Sequence, residues 1–299
     1  MEPTYPDHAR AKVTTMGNIT EVLVMKKAAN GPPCQKVDKD HFLDFRTGEL
    51  RDIEHATSRA DDNKSIRRTL ANIRALVNTN VLDPDCVRWV TLTYKDNMTD
   101  TKKLYRDLTN FWKRFKYWCE SEGYEKPEYI TVIEPQGRGA WHAHSFYIWK
   151  DKAPFIPNNT VLEPLWGHGF TKIKAVDNCD NIGAYFSAYL GDIPLDDWEK
   201  LPENEKEKTL LSSEIVEKSF TNAQDLTKTK KFLKGGRLAL YPAGMNIVRT
   251  TRGIKPPQIE KMEYGEAKKK IGSLQPTFSR TYEIVSDDGT ICNTLTKAY

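Results

Sequence analysis

Between 63 and 79, Ile66, Leu70, Ile73 and Val77 recur at spacings that place them on one face of a helix. After Pro84 the period shortens. Val87-Arg-Trp-Val-Thr-Leu-Thr-Tyr94 alternates and is rich in β-branched and aromatic residues, which predicts a strand. The clearest helical pattern follows at 100–120. Asp100 or Thr101 can cap it, and Leu104, Leu108, Phe111, Phe115 and Trp118 form one apolar stripe opposite Lys102, Lys103, Arg106, Lys113, Arg114 and Lys116. Residues 129–133 and 141–149 read as a hairpin joined through Pro135-Gln-Gly-Arg-Gly139, and a strand at 170–176 leads to a helix at about 179–190. The order β-α-β-β-β-α from 87 to 190 predicts an α+β fold, a central and mainly antiparallel sheet flanked by helices.

Outside this core the patterns are weaker. Residues 1–60 read as short strands and turns, punctuated by Asn30-Gly31-Pro32-Pro33 and Thr47-Gly48. Residues 193–218 hold eight acids against four lysines and read as a solvated helix or linker. A closing hairpin is expected at 281–294, turning at Asp287-Asp-Gly289. The chain thus divides into an N-terminal extension with a basic helix (1–82), a core (83–192), and an acidic linker followed by a basic C-terminal segment (193–299).

Composition narrows the classes. With 299 residues, 38% hydrophobic and 29% charged, the chain can bury a core, which excludes wholesale disorder. No run approaches the roughly 18 apolar residues of a membrane span. The opening MEPTYPDHARAKVTTMGN has no apolar h-region, so neither membrane partner nor secretion is expected and a cytoplasmic location is. Cys34, Cys86, Cys119, Cys179 and Cys292 form no C-x-x-C pair, which fits reduced thiols rather than disulfides or a zinc knuckle. The net charge of +4 says little, but its distribution does: 228–255 holds eight Lys or Arg and no acid, with Phe232 and Tyr241 between them. Phosphate neutralisation with interleaved base stacking suits a single-stranded nucleic-acid track, so Lys230, Lys231, Lys234, Arg237, Arg249, Arg252 and Lys255 are candidate DNA contacts.

The sharpest chemical feature is Trp141-His-Ala-His-Ser145. On a strand His142 and His144 project from the same side, suited to gripping one metal ion. If the hairpin turn centres on Arg138, Glu134 lies opposite His142 on the same face; a slip of one residue would turn it away. Two imidazoles and a carboxylate with open positions describe a catalytic metal site, and Mg²⁺ or Mn²⁺ is the expected ion. Arg138 itself is a turn residue able to touch DNA. In Asn181-Ile-Gly-Ala-Tyr-Phe-Ser-Ala-Tyr-Leu-Gly191, Tyr185 and Tyr189 share one helix face. A tyrosine hydroxyl near a metal-bound phosphate is a competent nucleophile for phosphodiester transfer. No G-x-x-x-x-G-K-[ST] occurs, so no P-loop motor is expected.

A strand His-x-His followed by a helical Tyr-x-x-x-Tyr resembles the HUH endonuclease superfamily, specifically rolling-circle replication initiators of Gram-positive plasmids, phages and integrative elements. Trp89–Tyr94, Glu134–His144, Trp166-Gly-His-Gly-Phe170, Lys234-Gly-Gly-Arg-Leu238 and Arg252-Gly-Ile-Lys-Pro256 are similar to their successive segments. The resemblance implies an RRM- or ferredoxin-like core that nicks one strand of origin DNA, single-stranded or extruded as a hairpin. It implies Tyr189 as principal nucleophile and Tyr185 as second, a 5′-phosphotyrosine link, a free 3′-OH primer and later rejoining, with helicase and polymerase supplied by a bacterial host. Where many such proteins carry lysine three residues past the nucleophile, this chain has Ala188 and Asp192, so either another cation substitutes, with Lys172 and Lys174 as candidates, or the site works differently. Alternatives of related or different class are an HUH transposase or mobilisation relaxase, and a nuclease-inactive, RRM-like nucleic-acid binder.

Overall fold

The computed structural model describes residues 4–26, 34–55, 63–136, 139–177, 181–183, 186, 191–210, 214–221, 227–242, 244–285 and 291–299. The chain forms two compact units, one from Met1–Ala56 with Pro257–Tyr299 and the other Thr57–Pro256. The first holds a five-stranded antiparallel sheet in the order Gln258–Glu263, Arg10–Met16, Ile19–Met25, Ile291–Ala298, Phe278–Val285. Val13, Val22, Val24 and Leu295 alternate onto one face and bury together with Ala267 of the helix Tyr264–Ile271. The last two strands are the expected closing hairpin, whose turn at 286–290 lies outside the described residues. Cys34–Lys36, His41–Asp44 and Glu49–Asp52 make a separate three-stranded meander.

The second unit is α+β. Its main sheet is antiparallel throughout, in the order Val248–Thr250, Glu128–Pro135, Trp141–Ile148, Val87–Thr93, Thr171–Ala175. The helix Thr101–Ser121 starts where Asp100 accepts hydrogen bonds from the backbone N–H groups of Lys102 and Lys103. It covers one face of the sheet: Phe115 packs on Tyr147 at 4.7 Å between ring centroids, and Trp112 on Tyr129 at 4.8 Å. The strand-helix-strand-strand-helix-strand order from 87 to 175 is ferredoxin-like, with the second helix reduced to Glu163–Trp166. The opposite face carries Trp89, Thr91, Thr93, Glu134, His142, His144 and Phe146, because cross-strand partners project together. Phe186, helical and fully buried, closes this face with edge-on contacts to Trp89, His144 and Phe146.

These units cut across the division expected at 82 and 192. Helix Asn63–Asn80 buries Ile73 and Val77 in the cluster of the main sheet, and Val248–Thr250 pairs with Glu128–Pro135. Gln258–Glu263 pairs with Arg10–Met16, which joins the two ends of the chain. Nor is 193–218 a simple solvated linker. Ile193–Pro194 and Glu214–Thr221 flank Thr227–Lys234 in a three-stranded sheet, with helices Leu195–Trp198 and Glu203–Leu210 between them. Among the described residues no helix is long and apolar enough to cross a membrane.

Candidate metal centre

Register decides the site. Glu134 pairs with His142 across the hairpin, and on the other side His142 pairs with Thr93 and His144 with Thr91. The three side chains therefore leave one face of adjacent strands at one end of the sheet. One ligand atom from each of Glu134, His142 and His144 lies within 4.8 Å of the others. Oε1 of Glu134 is 2.9 Å from Nε2 of His144 and 3.9 Å from Nδ1 of His142. Thr91 Oγ1 stands 3.2 Å from Nδ1 of His144 and fixes that ring from the far side, as a supporting group does when Nε2 is to face a metal.

Oε2 of Glu134 and Nε2 of His142 are buried and make no hydrogen bond among the described residues. Orphaned buried polar atoms are costly, and a divalent cation between them would satisfy both. One carboxylate and two imidazoles are a donor set that can hold a divalent metal ion.

The electrostatics favour a charged Glu134 carboxylate beside a neutral His142 ring. Burial pushes the Glu134 carboxyl up, but the Arg237 guanidinium, followed by His144 and His142, overcomes this and holds it well below the usual carboxylate range. Burial depresses the His142 imidazole, reinforced by the charges of His144 and Arg237 and opposed by Glu134.

Sequence reasoning missed two positioning residues. Arg237, expected on an exposed DNA track, is buried beneath the triad. Its Nη1 lies 3.3 Å from Glu134 Oε1 and donates to the Pro135 carbonyl at 2.9 Å, while Nε donates to the Asp192 carbonyl at 2.8 Å. The Gly235 N–H also donates to the Asp192 carboxylate. Asn78 anchors the start of the segment that ends at Asp192. Its side chain donates to Asn181 Oδ1 and accepts from the Gly183 N–H at 2.8 Å. The only sequence signals were a basic residue after Gly-Gly and a polar residue on a helical apolar face.

The remaining candidates scatter. Tyr185, Tyr189 and Arg138 lie outside the described residues; Ile182, Gly183, Phe186 and Gly191 around the tyrosines are helical. Lys172 pairs with Thr91 and is exposed; Lys174 Nζ sits 4.0 Å over the Trp89 ring. Lys230 and Lys231 are exposed on Thr227–Lys234, where Lys231 lies 3.8 Å from Glu217; Lys234 is in the same strand. Arg249 pairs with Thr131, away from the triad, and its guanidinium donates to the Tyr105 carbonyl and Thr109 hydroxyl. Arg252 and Lys255 are exposed. The expected interleaved aromatics are not available for stacking. Phe232 is buried, and Tyr241 is buried with its hydroxyl donating to the Ile133 carbonyl. His168 sits 3.7 Å from Asp107 and stacks on Tyr94, a packing role outside the triad.

No curated protein and no solved structure matches the chain. Residues 87–193, which span the sheet from its first core strand through the segment after Phe186, match the family model of the ORF2 type of replication-associated protein, so over that span the chain is similar to replication-associated proteins.

Proposed function

We propose that the second unit is the nicking unit of a rolling-circle replication initiator, cutting one DNA strand by tyrosine transesterification. The observation that carries this is the buried Glu134–His142–His144 group with its two orphaned ligand atoms, inside the span similar to replication-associated proteins. A divalent ion, Mg²⁺ or Mn²⁺, held there would polarise the scissile phosphate and stabilise charge in an in-line displacement. Thr91 orients the His144 ring, and Arg237 keeps Glu134 ionised and in place. The packed wall of Trp89, Phe146 and Phe186 excludes water beside the histidines.

In this reading Tyr189 is the principal nucleophile and Tyr185 the second. The tyrosine oxygen bonds to phosphorus, the bond to the 3′ oxygen breaks, and a 5′-phosphotyrosine and a free 3′-OH result. Reversal by that hydroxyl, or attack by the second tyrosine, rejoins or transfers the strand. Asn78 and Arg237 hold the two ends of the segment that carries both tyrosines. Origin DNA, single-stranded or as an extruded hairpin, is the proposed substrate, with helicase and polymerase from a bacterial host.

The test is incubation of the purified chain with end-labelled single-stranded origin oligonucleotides and Mn²⁺. The expected result is an SDS-resistant protein–DNA adduct that EDTA prevents. It should be lost in Tyr189→Phe, or only in the Tyr185→Phe/Tyr189→Phe double variant. DNA binding with no adduct across several origins would favour a passive binding module instead.

A further inference from the structure

The segment Trp166-Gly-His-Gly-Phe170 enters the last strand of the main sheet, and packing accounts for its first four residues. Trp166 is fully buried and donates its indole N–H to the Thr93 carbonyl. Gly167 ends the short helix in the left-handed region at φ 70°. His168 rests on Tyr94 and Asp107. Gly169 has φ 148°, and a Cβ there would run into the backbone of Thr93–Lys95, so only glycine lets the chains approach this closely. Phe170 alone has no such account. It is 62% exposed, although it is a large aromatic held at a fixed place by the Thr93 N–H donating to its carbonyl.

Its place is informative. The strand pairs Thr91 with Lys172 and Trp89 with Lys174, and the Thr93–Phe170 bond continues that ladder by one step. Alternation then puts Phe170, Lys172 and Lys174 on the face that carries the triad. In the same rows lie His142–Thr93–Phe170 and His144–Thr91–Lys172. Phe170 therefore stands two strand spacings, about 10 Å, from His142, a reach of one or two nucleotides. Lys172 is exposed in the adjacent row, and Lys174 covers Trp89 beyond it. An exposed ring followed by two cations along one edge, beside a phosphate-handling site, has the chemistry of a strand-binding ledge.

We infer that Phe170, Lys172 and Lys174 form a ledge for single-stranded DNA beside the metal centre, with Phe170 stacking on one base next to the cleaved position and the lysines meeting the following phosphates. The inference rests on reading that centre as a DNA-cleaving site. It assigns positioning of the strand to the sheet edge rather than to the basic stretch 228–255, whose aromatics are buried.

The experiment measures binding of a fluorescein-labelled dT20 oligonucleotide to the full chain by anisotropy, in EDTA so that no cleavage intervenes. Phe170→Ala should weaken binding by about 5- to 100-fold without changing the salt dependence, and Phe170→Tyr should bind as the natural chain does. Lys172→Ala should instead reduce the slope of log K against log salt by about 0.7. Because Phe170 is exposed, unchanged melting of Phe170→Ala checks its fold. Failure of the natural chain to bind dT20, unaltered binding by Phe170→Ala, or equal losses in Phe170→Ala and Phe170→Tyr would each overturn the ledge. Phe170-dependent binding without any Mn²⁺-dependent adduct would uphold the ledge and remove the nicking proposal. An adduct formed by a chain indifferent to Phe170→Ala in dT20 binding would do the reverse.

Discussion

Glu134 is a carboxylate almost without water, set against one guanidinium and two imidazoles. Breaking a buried ion pair from one side leaves an uncompensated charge, typically at a cost of about 3–5 kcal/mol. Arg237→Met should therefore lower the free energy of urea unfolding by about that amount, and Glu134→Gln in the same chain should recover much of the loss. If the double variant is no more stable than Arg237→Met, the pair is not what holds this corner. His142 gives a pH dependence. Its imidazole titrates below the ordinary 6.5 because burial disfavours the charged form. As pH falls past 6.5 the unfolded chain takes up a proton that the folded chain does not, so stability present above 6.5 declines until the folded group also titrates. Urea midpoints measured in EDTA should fall between about pH 7 and pH 5, and His142→Asn, which cannot titrate there, should flatten that decline. An unchanged slope would show that other groups control the region.

At the scale of elements, two flanking anchors define the segment between Asn181 and Asp192. Asn78 projects from the helix Asn63–Asn80 to hold its start, and Arg237 with Gly235 holds its end. Gly183 packs so closely that a Cβ would press on the Arg74 carbonyl and the Asn78 amide. Gly183→Ala should thus displace the segment while the triad, which belongs to separate strands, keeps its geometry. The expected outcome is Mn²⁺ affinity equal to that of the natural chain, by isothermal titration, with covalent adduct formation reduced about tenfold or more, since misplacing a reacting group by an ångström can cost two orders of magnitude. Equal loss of both would mean that segment and triad are not separable.

At the scale of the molecule, each unit has its own core. Among the described residues, the cluster around the main sheet draws on residues from Leu70 to Ile254, and the other on Tyr5–Val24 with 262–299. The span similar to replication-associated proteins, 87–193, lies wholly inside the larger unit. A fragment comprising 57–256 should therefore fold cooperatively and bind Mn²⁺ as the full chain does, judged by circular dichroism and calorimetry. A fragment with only partial helicity and no metal binding would show that this core depends on the rest of the chain.

How much of this was legible follows from the range of each interaction. Helix Thr101–Ser121, its Asp100 cap, the strand Val87–Thr93 and the hairpin around the histidines are written in local periodicity and capping, so they could be read directly. The shared face of His142 and His144 follows from the alternation of any strand. Glu134 was legible only conditionally, because its face depends on a register that the sheet fixes. In the basic stretch 228–255 the charge count does not say which cations are buried. Arg237 faces Glu134 and Arg249 faces helix Thr101–Ser121, while Phe232 and Tyr241 fill the core. The pairing of the chain's two ends, the anchoring by Asn78 and the position of Phe170 in the triad's rows all join residues far apart in sequence. Composition and periodicity carry the local preferences of the chain; only tertiary packing, which brings those distant groups within hydrogen-bonding range and shuts out water, decides which of them share a site.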